Sequence, residues 1–185
     1  MTLTPLTPPE GSVIIPSQAL VCLVGASGSG KSTFARRHFK PTQILSSDHF
    51  RALIADSESD QSVSADAFSC LYHLAKKRLK HGRLTVIDAT SVNYRARKRL
   101  LDLAETYNKP AIAIVFNPSL KSCLAMNEAR PDRQVPPDIV EKQINQLLDS
   151  LKSIDKEGFQ LIYKFYSHKK AKKATVVIDP NFDPF

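Results

Sequence analysis

Cysteine is scarce in this chain, and the three present, Cys22, Cys70 and Cys123, form no CxxC pair and leave an odd total. That argues against a disulfide framework or a structural zinc site, and it points to a reducing, cytoplasmic setting. No apolar run approaches the roughly 18 residues that a membrane span needs, so no membrane partner is expected. No internal repeat or low-complexity tract occurs. No basic residue precedes Lys31, so the start lacks the charged head of a secretory signal. Residues 1–18, MTLTPLTPPEGSVIIPSQ, are rich in proline and threonine and read as a flexible lead-in.

What is present is positive charge and a regular alternation of elements. The 185 residues carry a formal net charge of +8, and 42% are apolar, enough for one domain with a full core. A basic balance raises the expectation of a polyanionic partner, nucleic acid above all, although enzymes that handle small phosphates are often basic too. Three basic clusters stand out: Lys76 to Arg83, Arg95 to Arg99, and His168 to Lys173. Each also reads as the solvated face of a helix or turn.

ALVCLV (19–24) is a continuous apolar run of the kind that forms a buried strand. A helical pattern follows from Ser32 to Phe39, then a short strand in QILSS, and a polar loop from Ile54 to Ser64. Helical spacing returns from Ser64 to Lys80, a third strand covers Leu84 to Ile87, and a basic helix covers Tyr94 to Tyr107. AIAIVF (111–116) is a fourth strand, with helices expected from Leu120 to Ala129 and from Ile139 to Ile154. LIYKFY and ATVVID close the chain as strands, separated by SHKKAKK. Buried strands alternating with helices predict an α/β fold: a mainly parallel sheet with helices on both faces, spanning 19–185. Ligands of such sheets bind outside the carboxyl ends of the strands.

At that end of the first strand stands GASGSGKS, a full match to G-x-x-x-x-G-K-[ST] between a strand and a helix. Gly25, Gly28 and Gly30 let backbone amides turn inward around phosphate oxygens, with Ser27, Ser29 and Thr33 in the same cradle. Lys31 neutralises the outer phosphates, and Ser32 reaches Mg²⁺. The expected cofactors are therefore ATP and Mg²⁺.

The second strand ends in SSDHFR. Asp48 stands across the crevice from the cradle, where a carboxylate can take the proton of an attacking hydroxyl. Arg51, one helical turn on, could hold an acceptor anion. Ser46, Ser47 and Asp48 are all good helix caps as well, and on local sequence alone that reading comes slightly ahead. Asp88 ends the third strand in VIDAT and could orient the Mg²⁺ shell, anchor a lid arginine, or cap the next helix. Arg130 and Arg133 lie in the proline-stiffened NEARPDRQVPP, read as a lid over residues 127–138 that excludes water and stabilises transferring charge. A base, an acceptor arginine and a lid favour a kinase over a switch or motor.

In order and spacing, VIIPSQALVCLVGASGSGKSTFARRHF, SSDHFR, DSESDQSVS, VIDATSV and NEARPDRQVP resemble the kinase domain of bacterial polynucleotide kinase-phosphatase. The resemblance runs from about Val13 to the end. It implies ATP-dependent phosphorylation of a 5′-hydroxyl RNA or DNA end, with separate phosphatase or ligase partners in nucleic-acid repair. It also implies Lys31 and Ser32 on ATP and Mg²⁺, Asp48 as general base, Arg51 and Gln61 on the acceptor's phosphate, and Arg130 and Arg133 near the donor phosphates. Met126 departs from the family, which tends to carry arginine at that place. No metallophosphoesterase motif (GDxxDRG, GNH) and no ligase KxDG occurs. Two alternatives share the cradle: a small-metabolite kinase of the gluconate, shikimate or zeta-toxin type, and a non-catalytic ATP-binding regulatory module.

Overall fold

The computed structural model describes residues 11–131 and 134–184. Its centre is a five-stranded parallel sheet of β2 (Leu20–Val24), β3 (Ile44–Ser46), β4 (Thr85–Asp88), β5 (Ala111–Phe116) and β6 (Leu161–Phe165). The spatial order is β3-β4-β2-β5-β6. The chain leaves β2 for the edge, returns beside it as β4, then crosses to its other side as β5. That reversal of direction opens a crevice outside the carboxyl end of β2.

Every residue of β2 is buried, because the strand is central and covered on both faces. Its side chains alternate between two cores. Leu20, Cys22 and Val24 pack on one face with Leu71 and Ala75 of α3 (Ser64–Lys80) and with Leu100 and Leu101 of α4 (Tyr94–Thr106). Val21 and Leu23 pack on the other with Phe34 and Ala35 of α1 (Lys31–His38) and with Phe116 and Phe165. A third cluster joins α5 (Leu120–Glu128) and α6 (Pro137–Ser150), through Cys123, Val140 and Ile144, to Ala26. α2 (Ser47–Ala55) leaves β3 at the crevice and packs against α3.

The lead-in needs correcting. Ser12–Pro16 form a strand, β1, paired in parallel with β7 (Thr175–Asp179) as a separate two-stranded sheet. Val13 and Ile15 enter the second core, and the Tyr163 hydroxyl stitches β1 to the main sheet, donating to Ile14 O at 2.9 Å and accepting from Ile14 N at 3.1 Å. Two inward apolar side chains and a long-range partner outweigh the flanking prolines. Residues 1–10 lie outside the described part. ATVVID is thus a strand outside the main sheet, and SHKKAKK contains a short helix, α7 (His168–Lys173).

The basic clusters part company in three dimensions. Lys76–Arg83 spans the end of α3 and the turn into β4, at the amino end of the sheet and away from the crevice. In the second cluster Arg97 is fully buried: Nε and Nη2 donate to the Glu157 carboxylate at 2.7 and 2.6 Å, and Nη1 donates to Ser91 O at 2.8 Å. Arg99 stacks over Tyr72, 5.3 Å from the ring centroid. The second and third clusters both follow a strand's carboxyl end, that of β4 and that of β6. No helix among the described residues is long and apolar enough to cross a membrane.

The buried fork between Arg97 and Glu157 leaves either partner uncompensated if the other is removed. Arg97→Ala should therefore cost about 3–5 kcal/mol of stability, read as a lower midpoint in urea denaturation.

Candidate functional site

Between β2 and α1 the chain makes the tight loop Gly25–Gly30. α1 begins without a side-chain cap, its preceding residue Gly30 at φ +96°, so its first amides face the crevice. Gly28 is required by contact as well as by its φ of +76°: a Cβ there would stand 2.1 Å from the Cys123 carbonyl oxygen of α5. The loop is held from several sides. Gly25 N donates to Thr90 O at 3.0 Å, Ser29 N to Ala26 O at 3.2 Å, and Ser27 N to Gln143 Oε1 of α6 at 2.8 Å.

Lys31 is buried, and its ammonium donates to Ala26 O at 2.8 Å and to Ser29 Oγ at 3.4 Å. Burial pushes its pKa down to about 8, opposed chiefly by the charge of Asp88 and reinforced by Arg130. Asp88 shows the mirror effect. Burial raises it, while Lys31 and a hydrogen bond from Ser32 pull it down, and the Asp48 charge raises it again. These groups form one electrostatic set around a cavity of about 720 Å³. Gly28, Gly30, Ser32 and Thr33 line it on the loop side, Asp48, His49 and Asp88 at the strand ends, and Met126 and Arg130 beside the lid. A cleft of this size suits a nucleotide.

Neither acid caps a helix. The cap of α2 is Ser46, whose hydroxyl accepts from His49 N at 3.4 Å, and that of α4 is Asn93, accepting from Ala96 N at 2.9 Å. Ser46 pairs with Asp88 in the β3–β4 register, which carries Asp48, two residues on, to the same end of the sheet. Arg51 differs from the expectation of an open anion clamp. It is buried, ion-paired to Asp48, and its Nε donates to Glu58 O at 2.8 Å. The i to i+3 spacing that aims both side chains the same way also lets them meet.

Gln61 is exposed on the 56–63 loop. It donates to Ser59 O at 3.4 Å and accepts from Ser64 Oγ at 3.1 Å, outside the cavity lining. Arg133 lies outside the described residues. The turn between α5 and α6 is pinned by a residue with no sequence signal for that role. Buried Asn127 donates to Val135 O at 2.8 Å and accepts from Val135 N at 3.0 Å. Gln143 on the loop amide is equally unannounced, as an ordinary helix glutamine.

Comparison with known proteins agrees with this layout. The AAA domain family matches residues 20–154, and no curated protein matches in sequence. Kti12 of Chaetomium thermophilum, solved with ADP-AlF3, superposes with a TM-score of 0.61 at 15% identity, over 84% of this chain and 94% of that one. The APS kinase CysC of Mycobacterium tuberculosis gives 0.51 at 17% identity, over 85% and 94%. A gluconokinase of Sinorhizobium meliloti gives 0.52 at 13% identity, over 85% and 90%.

The depressed lysine makes binding pH-dependent. Above about pH 8 the free protein has lost the Lys31 proton, whereas a phosphate anion holds it on. Nucleotide affinity should therefore be flat below that pH and fall by up to about tenfold per unit above it, with a proton taken up on binding. Calorimetric titrations between pH 7 and 9.5 in buffers of different ionisation enthalpy read both quantities. With its loop, its parallel sheet and the match over most of its length, the chain belongs to the AAA domain family and is a P-loop kinase-like nucleotide-binding domain.

Proposed function

We propose that this protein transfers the γ-phosphate of ATP to an alcohol, and that the acceptor is the 5′-hydroxyl end of a nucleic acid. The observation that carries the transfer reaction is the pair of carboxylates, Asp48 and Asp88, on one cavity wall facing the Lys31 loop. They divide the work by environment. Asp88 is the more buried and shares a hydrogen bond with Ser32, whereas Asp48 is half-buried at the mouth of β3.

The donors fit a hard divalent cation. Ser32 and Asp88 offer oxygen ligands already within hydrogen-bond reach of one another, beside a second carboxylate. Among the described residues no cluster of three His, Cys, Asp or Glu could hold an ion alone, which suits a metal that shares its ligands with phosphate. Ser32 and Asp88 would hold Mg²⁺, which supplies charge neutralisation on the phosphates when bound.

The loop amides and Lys31 then orient the donor phosphates. Asp48 accepts the proton of the attacking hydroxyl, and its ion pair with Arg51 keeps it aimed. Arg130 approaches the transferring group from the lid side, near enough to Lys31 to depress its pKa. Arg133 and Gln61 keep the roles that the family resemblance implies, on the donor and acceptor phosphates respectively.

The nucleic-acid acceptor is supported by that resemblance, by the net charge, and by exposed Lys169, Lys170, Lys172 and Lys173 of α7 at the loop's end of the sheet. A specific observation favours a small-metabolite acceptor instead: Arg51, the expected clamp for a strand phosphate, is buried and engaged. The APS kinase and gluconokinase likenesses are of the same kind. Salt separates the two, since strand binding weakens steeply with ionic strength.

Transfer of labelled γ-phosphate to a panel of 5′-hydroxyl oligonucleotides, gluconate and other small hydroxyl acceptors tests both readings. Asp48→Ala should lower transfer to the true acceptor about 10²–10⁴-fold while ATP affinity stays within about threefold. An equal loss of ATP binding would make Asp48 structural. Arg51→Ala should raise the acceptor KM if Arg51 touches the acceptor, and should lower kcat alone if it acts only by aiming Asp48.

A further inference from the structure

The imidazole of His168 lies against the phosphate-binding loop from outside the cavity. Its Nε2 is 2.9 Å from the Gly28 carbonyl oxygen and its Nδ1 is 2.9 Å from Ser122 Oγ of α5. Its Cδ2 faces Gly30, where a Cβ would stand 3.2 Å away. A carbonyl only accepts, so Nε2 must carry the proton of this bond. In the neutral ring Nδ1 is then the acceptor, and the Ser122 hydroxyl donates to it. The tautomer is thereby assigned by the two partners.

The ring is itself held in place. Ser167 caps α7 by accepting from Lys170 N at 3.2 Å, and Arg37 of α1 donates to the carbonyl of Lys172 at the far end of α7. His168 thus projects from a short helix tied at both ends, and it reaches a loop whose glycines leave it locally soft. Gly28 and Gly30, both at positive φ, flank Ser29. Glycine populates both signs of φ, so the peptide between Gly28 and Ser29 has freedom to rotate. As held, its carbonyl points to His168, and its N–H belongs to the loop turn, bonded to Ala26 O at 3.2 Å. Rotated, it would break the Ser29 amide's bond to Ala26 O and set two carbonyl oxygens against each other, so the loop would lose its cradle shape.

We propose that His168 is a positioning residue for nucleotide binding, which fixes the Gly28 carbonyl and so the shape of the loop, with its tautomer set by Ser122. It touches neither phosphate nor acceptor. This rests on the loop's being a nucleotide site and is independent of which alcohol is phosphorylated.

The test is the affinity for ATP with Mg²⁺ of wild type, Lys31→Ala, His168→Ala, His168→Gln and Ser122→Ala, each with its thermal midpoint. His168→Ala should weaken binding about tenfold, the loss of one well-placed hydrogen bond, and Ser122→Ala about two- to threefold. Glutamine carries an amide N–H about where histidine carries Nε2, so His168→Gln should recover binding to within about threefold of wild type. A role in stability alone would lower the midpoint of both His168 variants without this split. Wild-type affinity in a folded His168→Ala, or a glutamine variant as weak as the alanine one, overturns the proposal. If His168→Ala does not fold, the glutamine variant and the wild-type imidazole nitrogen spectrum decide: a protonated Nδ1 with a bare Nε2 also overturns it. If wild type binds no ATP, the nucleotide reading falls and the brace with it. If wild type binds, Lys31→Ala does not, and His168→Ala matches wild type, only the brace falls.

Discussion

One buried ammonium sets the terms for the structure around it. Lys31 loses most of its hydration inside the loop and regains only two close oxygens, Ala26 O and Ser29 Oγ. The remaining compensation is electrostatic and comes from Asp88 and Asp48. Asp88 is itself removed from water, and its charge and that of Lys31 favour each other's ionised forms. The sheet supplies this arrangement. β2 must be central and covered on both sides to bury the loop, and β3 and β4 must end level with each other to bring two acids to its mouth.

A loop under that load needs outside support, and three helices provide it. α5 presses the Cys123 carbonyl against Gly28, α6 sends Gln143 to the Ser27 amide, and α7 sets His168 on the Gly28 carbonyl. Ala26 is the apolar pin among them, packed with Cys123, Val135, Val140 and Ile144. The same α5 and α6 flank the arginine-bearing segment, whose base Asn127 closes through Val135. The 127–135 turn and the cradle therefore share one scaffold.

The chain announces some of these features more plainly than others. The buried run ALVCLV followed by GASGSGKS is readable because burial on both faces demands continuous apolarity and the phosphate loop demands glycine at set offsets. Asp48 and Asp88 are visible as acids at strand ends, yet local chemistry puts capping slightly ahead of function for Asp48 and level with it for Asp88. Ser46 and Asn93 resolve that ambiguity, because each supplies the cap oxygen itself. SVIIP is hidden by its prolines, since a strand whose partner lies more than 150 residues away leaves no local trace beyond alternation. Arg97 hides likewise: in sequence it is one of several basic residues on a helix, and only Glu157, sixty residues on, makes it core.

By itself the sequence determined the class of the fold, the phosphate loop and the end of the sheet at which chemistry is placed. Each of these follows from short-range rules: periodicity, glycine geometry, and the polarity of strands. Only the tertiary structure decided that Arg51 turns onto Asp48 and Glu58, that Gln61 stays on an outer loop, and that the Lys76–Arg83 cluster lies at the end of the sheet away from the crevice. It alone brought Gln143 and His168 to the cradle. These are matters of where separate elements meet, and a hydrogen bond between residues more than a hundred positions apart depends on packing that no local pattern encodes.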